Sequence, residues 1–259
     1  MSRVHVFVIS WRGQHEQAAI IAEALSGKAD YVSIVYSEQG SQPACFDGYH
    51  LIRRDDQLFW ADKFQACLEH CAADEVMLVI HADCRCDDWA KLVARCKAAF
   101  TRFGDLGIWA PRLTGTPWHL QRTRLHRMAG SDLSIVAHTD GIIFALNPKL
   151  YPRMRAADYS NNLFGHGIDW LFLCAAYARG MKAITDEGII VHHPITRGYS
   201  TKEARAQKRA FLKQLSEEEL VVYMRLRAHV RKRRIYHKLH WLVEQHWLRG
   251  KTALRPLPR

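Results

Sequence analysis

The sequence predicts an α/β protein: a mostly parallel sheet with helices on both faces over residues 1–200, followed by a basic, helical C-terminal extension over residues 201–259. Three observations lead there. Short β-branched and aromatic runs alternate with segments of helical periodicity, the pattern of strand, helix, strand units. Residues 76–82 (VMLVIHA) are apolar almost throughout, as a strand buried on both faces should be. Charge is divided unevenly: residues 201–259 hold 16 Lys and Arg against 5 Asp and Glu, so the formal +11 of the chain lies there and the first 200 residues are neutral.

Taken in order, residues 3–9 (RVHVFVI) and 31–37 (YVSIVYS) read as strands, and between them Ala18, Ile21, Ala22 and Leu25 recur at helical spacing. A short strand near 49–52 and a helix from about 58 to 72 lead to the apolar strand at 76–82. Asp87 and Asp88 then stand where a helix over 89–100 needs a cap. Residues 106–111 (LGIWAP) form the next strand, and the Arg- and His-rich stretch 112–134 reads as a loop over a site. A strand at 141–146 stops at Asn147-Pro148, a helix over 168–179 ends at Gly180, and a strand at 188–194 (GIIVHHP) closes the body. From Lys202 on the chain is helix-forming, with a second start at Glu217-Glu218-Glu219 and an imperfect apolar stripe through Tyr223, Leu226, Val230, Ile235, Leu239 and Leu242.

Composition narrows the function classes. A 259-residue chain that is 48% hydrophobic can bury a real core. No run approaches the 18 apolar residues of a membrane span, and the apolar N-terminal run is too short for a signal peptide. Seven cysteines, an odd number in a chain this size, fit reduced thiols, so a cytoplasmic protein is expected. The pairs Cys67/Cys71 and Cys84/Cys86 lack the spacing of zinc knuckles and read as small buried thiols. No GxGxxG follows the first strand and no GxxxxGK[ST] occurs, which argues against dinucleotide dehydrogenases and P-loop NTPases. Only the basic extension asks for a polyanionic partner.

In an open α/β sheet, ligands bind beyond the carboxyl ends of the strands. The residues there are Ser10-Trp11-Arg12-Gly13, Ser37-Glu38, Arg53 to Asp56, His81-Ala82-Asp83 and His192-His193. They are polar, charged and rich in groups able to hold a metal.

These residues, with Lys63 in the helix WADKFQA and the loop Gly165-His166-Gly167-Ile168-Asp169, resemble the GT-A-fold nucleotide-sugar glycosyltransferases, in particular the large inverting family two group. The resemblance covers about residues 3–200. It implies a Rossmann-like GT-A sheet and a nucleotide-sugar donor lying beside Ser10, Trp11, Glu38, Lys63 and Asp83. It also implies a divalent metal, Mn or Mg, on Asp83 as the last acid of an Asp-x-Asp signature, with His193 completing the metal site and His192 the second choice. The first acid of that signature is replaced by His81 here. Asp169, in the place of the acid of the family's Gly-Trp-Gly-x-Asp type loop, would be the general base that activates a hydroxyl of a glycan or glycolipid acceptor.

Plainer roles exist for each group. Asp83 can cap a turn, Asp169 can favour a helix dipole, His193 can be a hydrogen-bonded core histidine, and Lys63 and Arg53 can be solvated charges. Trp109, Trp118 and Trp170 are core by default, although Trp109 ends a strand and Trp118 lies in the polar loop, so either can stack on a sugar. The basic extension reads either as a peripheral anchor on an anionic membrane surface or as a helical pair packed on the body. A non-catalytic α/β binding protein with a polyanionic partner is the reading from another class, and sugar-nucleotide hydrolysis or nucleotidyl transfer a third. No nucleic-acid-binding signature is present, so nucleic acid is not an expected partner.

Overall fold

A computed structural model describes residues 2–57, 59–194 and 200–252, with residues 235–252 described as helical backbone. The first four strands, β1 (Val4–Ser10), β2 (Tyr31–Ser37), β3 (His50–Arg54) and β4 (Val76–His81), lie parallel in the order β3-β2-β1-β4. The sheet continues through β8 (Ile143–Leu146), antiparallel to both β4 and β5 (Leu106–Thr114), and then β9 (Lys182–His192), parallel to β5. The antiparallel strands β7 (Leu133–Val136) and β6 (Arg124–Arg127) finish it. Among the described residues, β1 to β6 and β9 therefore point one way and β7 and β8 the other.

The helices cover both faces because the central strands are apolar on both. Along β1, Val4, Val6 and Val8 face one cluster while Phe7 and Ile9 face the other. Along β4, Val76, Leu78 and Ile80 alternate in the same way with Met77 and Val79. The first cluster is completed by α1 (His15–Leu25) and α3 (Trp89–Arg102), the second by α2 (Trp60–His70), α5 (Tyr151–Arg155) and α6 (Ile168–Ala178). In α1 the buried residues are Ala18, Ile21, Ala22 and Leu25, the four that the spacing picks out. Each fully buried Val, Ile or Phe contributes about 1.5–3 kcal/mol, so the two clusters dominate stability. Asp88 caps α3 by accepting from the Lys91 N–H at 2.8 Å.

Two expectations need correction. Residues 112–134 are not one loop: β5 runs on to Thr114, and the short helix α4 (Leu120–Thr123) and the β6–β7 hairpin follow. These elements are four residues long and β6 is largely exposed, so no periodicity betrays them. The last strand begins at Lys182, not near 188, because Asp186-Glu187-Gly188 interrupts its apolar pattern. A register shift puts Asp186 opposite Pro111 but Ile190 opposite Arg112. The polar residues of this bulge are paired: Arg95 forks onto Asp186 at 2.8 and 2.6 Å, and Arg124 onto Glu187 at 2.9 Å.

The extension folds back on the body. In α7 (Thr201–Phe211), Ser200 caps the start and Phe211 is buried. In α8 (Glu217–Thr252), Leu226 and Val230 pack with Ala137, Trp170 and Cys174, and the Tyr223 ring lies 4.9 Å from that of Trp170. Ile235, Leu239 and Leu242 of the expected stripe lie outside the described side chains. Arg153 forks onto the buried Glu219 at 2.8 and 2.9 Å, which also accepts from the Ser216 N–H. Breaking a largely buried pair by removing one partner costs about 3–5 kcal/mol. Glu219→Ala should therefore lower the unfolding free energy by about 3 kcal/mol in a urea titration; a loss under about 1 kcal/mol would show that this pair does not hold α8 to the body.

Candidate active site

A cavity of about 950 Å³ opens over the carboxyl ends of β1, β2 and β4. Its wall takes Trp11 and Arg12 from the end of β1, Trp60 and Lys63 from α2, His81 and Asp83 from β4, Trp118 from the β5–α4 loop, and His193 from beyond β9. Asp140, His166, Asp169 and Lys208 complete it.

The Asp83–His193 pair is brought together by backbone. Arg85 and His192 exchange two hydrogen bonds, N to O at 2.9 and 2.8 Å, which ties the end of β9 to the turn after β4. Strand alternation then sends His192 outward, bonded to Thr114 Oγ1 at 2.9 Å, and His193 inward, with Nε2 at 3.2 Å from Asp83 Oδ2. Asp83 Oδ1 and His193 Nδ1 are buried without a hydrogen-bond partner. Orphaned buried lone pairs of this kind suit a divalent cation: a carboxylate oxygen and an imidazole nitrogen are ligands Mn²⁺ or Mg²⁺ accepts. Two donors do not fill a coordination shell, so such an ion takes its other ligands from a bound anion and water. His81 adds no charge: burial pushes its pKa down to about 4, and its ring lies 4.8 Å from that of Trp60 and 6.0 Å from that of Trp11.

Lys63 supplies buried positive charge at the same cavity. It is 4% exposed, and burial, opposed by Asp62 and Asp56, pushes its pKa down to about 8. Arg12 is held at the rim by Glu38 and Asp56, at 3.0 and 3.2 Å.

Asp169 sits in the first turn of α6, where the helix dipole favours an anion. Burial alone would raise its pKa. His138, with Nε2 at 3.1 Å, and Lys208 outweigh that and hold the carboxyl below the usual range, so it is ionised at neutral pH. Asp140 behaves in the opposite way: burial and the nearby Asp169 raise its pKa despite the hydroxyl of Thr116 donating to it. The turn before Asp169 requires its glycines. Gly167 has φ +98° as the residue preceding α6, and a β-carbon on Gly165 (φ +68°) would stand 2.2 Å from Trp60 Cδ1.

Of the residues singled out in the sequence, Trp11, Lys63, Asp83, Asp169 and His193 line this one cavity. Ser10 and Glu38 stand beside this cavity, next to its lining residues Ile9, Trp11 and Ser37, without lining it themselves. Ser10 is fully buried and its Oγ is 2.8 Å from His15 Nδ1, while His15 Nε2 is 3.1 Å from Glu38, so the two form an internal relay that steadies Arg12. Arg53 donates to the Glu38 and Gly40 carbonyls instead of facing the cavity. Trp109 is fully buried, whereas Trp118 stacks on His138 at 3.8 Å and faces the cavity. Sequence reasoning missed His138, Thr116 and Lys208. The first follows β7, a four-residue strand that carries no legible period, so inspecting only residues after the legible strands passes over it. Lys208 lies beyond residue 200, inside the stretch read as an appendage.

Among the described residues, one group of three or more metal-capable side chains lies within 4.8 Å: His5, Cys71 and Glu75. It is at the other end of the strands, and its members bond to one another and to Ser33, Tyr151 and the Ala72 N–H.

No protein-family model and no curated protein sequence matches the chain. Solved structures do. The crystal structure of GalNAc-T7 with UDP, GalNAc and Mn²⁺ superposes with a TM-score of 0.58 at 13% identity, covering 99% of this chain and 59% of that one. UDP-glucose pyrophosphorylase complexed with UDP-glucose gives 0.50 at 9% identity, covering 83% of this chain and 100% of that one. The chain thus spans 59% of the length of the first, and what it shares with both is the GT-A-like α/β fold.

Lys63 gives the cavity a pH signature. Its ammonium is present below about pH 8 and lost above. Affinity for inorganic pyrophosphate, measured by calorimetry, should fall as pH rises through 8, and Lys63→Met should flatten the profile; a wild-type affinity constant from pH 7 to 9 would remove Lys63 from anion binding.

Proposed function

We propose that the protein is a nucleotide-sugar-dependent glycosyltransferase that inverts the donor's anomeric centre and delivers the sugar to a hydroxyl of a glycan or glycolipid. One observation carries this reading. A single cavity holds a carboxylate–imidazole pair with orphaned lone pairs, a buried ammonium, and a separate ionised carboxylate braced by histidine. The first two suit a diphosphate, and the third suits a hydroxyl about to lose its proton. The fold likeness to a UDP- and Mn²⁺-containing GalNAc-T7 supports the same reading.

In this reaction the acceptor oxygen attacks the anomeric carbon while Asp169 takes its proton. The bond from that carbon to the diphosphate oxygen breaks, and the nucleoside diphosphate leaves with the electron pair. A divalent cation on Asp83 and His193 would neutralise charge developing on the leaving group. Lys63 faces the same charge from α2. His138 orients Asp169 and keeps it ionised, and the ring of Trp118, stacked on His138, offers a flat apolar wall against which a sugar face can lie. Trp11, at the end of β1, is the aromatic on the donor side.

The likeness to UDP-glucose pyrophosphorylase favours a second reading, nucleotidyl transfer. That reaction consumes a nucleoside triphosphate and a sugar phosphate and releases pyrophosphate, which transfer from a nucleotide sugar does not. A non-catalytic binding protein would hold nucleotide sugars without turning them over.

Asp169→Asn preserves shape. A positioned general base contributes typically 10²–10⁴-fold, so transfer should fall by about that factor while calorimetric donor affinity stays within about threefold. Near wild-type transfer by this variant, together with loss in Asp140→Asn, would move the base to Asp140. Pyrophosphate release from a nucleoside triphosphate would replace the reading altogether.

A further inference from the structure

The exposed side of α8 combines an aliphatic row with basic residues. At 100° per residue, Glu219, Leu226 and Val230 point to the body, and these are its buried residues. On the opposite side stand Leu220, Val221 and Met224, 44%, 42% and 54% exposed, and Ala228 continues their row. One turn further Arg231 and Lys232 continue this side, with Arg225 and Arg227 beside the apolar row, while Arg233 and Arg234 are exposed but turned away from it. On the described part of α8 the exposed acids are Glu217 and Glu218, in its first turn and about 20 Å from Arg231. Beyond residue 234 the sequence adds Lys238, Arg249, Lys251, Arg255 and Arg259 against the single acid Glu244.

We propose that this face of α8 is a docking surface for an anionic lipid bilayer, with Leu220, Val221 and Met224 entering the headgroup boundary and the arginines and lysine meeting lipid phosphates. Charge complementarity selects an anionic partner, and the aliphatic row selects lipid over nucleic acid. A nucleic acid rewards basic charge and aromatic stacking but gives nothing for buried leucine, valine and methionine. Among the described side chains of α8 the aromatic one, Tyr223, is turned inward against Trp170. A helix lying in the interface plane gains from both features together. Among the described residues no helix is long and apolar enough to cross a membrane, so contact is at the surface. Since α8 packs against α6, whose first turn carries Asp169, docking brings the cavity near lipid headgroups, where a lipid-linked acceptor is found. That last consequence rests on the proposed transfer reaction; the docking itself does not.

The test is co-sedimentation of the full chain with vesicles of phosphatidylcholine alone or mixed with phosphatidylglycerol, with a labelled single-stranded oligonucleotide assayed in parallel. Binding is expected to the mixed vesicles and to be lost near 1 M salt, where the Debye length is about 3 Å. Each basic residue near an anionic surface is worth about fivefold, so Arg231→Gln with Lys232→Gln should weaken partition roughly 25-fold. Leu220→Gln with Met224→Gln should weaken it at fixed salt with little change in melting temperature, since both side chains are about half-exposed and glutamine keeps the helix propensity. Equal binding to neutral vesicles, wild-type partition by the Leu220→Gln, Met224→Gln variant, or binding to the oligonucleotide but not the vesicles would each overturn the proposal. Transfer to a soluble acceptor, measured separately, decides the catalytic reading whatever the vesicles do.

Discussion

The candidate site depends on one backbone constraint, the pair of hydrogen bonds between Arg85 and His192. Strands β4 and β9 are separated in the sheet by β8 and β5, about three strand spacings of 4.8 Å. Side chains at the ends of such distant strands do not ordinarily meet. They meet here because β9 outlasts the bulge at Asp186 to Gly188, continues beside residues 112–114, and there reaches the turn after β4. The bulge is possible because its charges are matched: Asp186 by Arg95, Glu187 by Arg124, with Gly188 leaving room for the Arg95 guanidinium, which a β-carbon would meet at 2.4 Å. Ion pairs remote from the cavity thus fix the separation of Asp83 and His193.

The cavity gathers ionisable groups whose environments push them apart. Burial takes Lys63 down to about 8 and His81 to about 4, raises Asp140, and fails to raise Asp169 because His138, Lys208 and the Trp170 N–H stand beside it. Each buried charge costs folding energy that apolar side chains would not. Concentrating four buried ionisable groups, Lys63 and Asp169 among them as charges, beside orphaned acceptors on Asp83 and His193 is the pattern of a site kept for chemistry. The buried His5, Cys71 and Glu75 at the other end of the strands differ: their polar atoms find partners in one another and in neighbouring residues, so nothing there asks for a ligand.

Legibility in the sequence followed local physics. The alternation of Val4, Val6 and Val8 with Phe7 and Ile9, and the spacing of Ala18, Ile21, Ala22 and Leu25, are periodicities set by backbone geometry, and the structure has them where the pattern puts them. Asp83, Asp169 and His193 were legible because they follow an apolar run or a glycine pair. Ser10 and Glu38 follow strands too, yet His15, on the next turn of chain, captures both; a strand-end position does not say which way a short polar side chain turns. His138 was hidden behind a four-residue strand that carries no legible period, and Lys208 by a tail that folds back, which is a tertiary fact with no local signature. The β6–β7 hairpin escaped because an edge of four-residue strands, exposed on one side, carries no period to read.

The central claim is that Asp83 and His193 hold a divalent cation for a nucleoside diphosphate, and calorimetric titration of UDP with and without Mn²⁺, on wild type and His193→Ala, tests it most directly. Mn²⁺ should raise the UDP affinity of the wild type at least tenfold, and His193→Ala should remove most of that gain while leaving metal-free binding unchanged. UDP binding unaffected by Mn²⁺, or a Mn²⁺ effect that survives intact in His193→Ala, would contradict it.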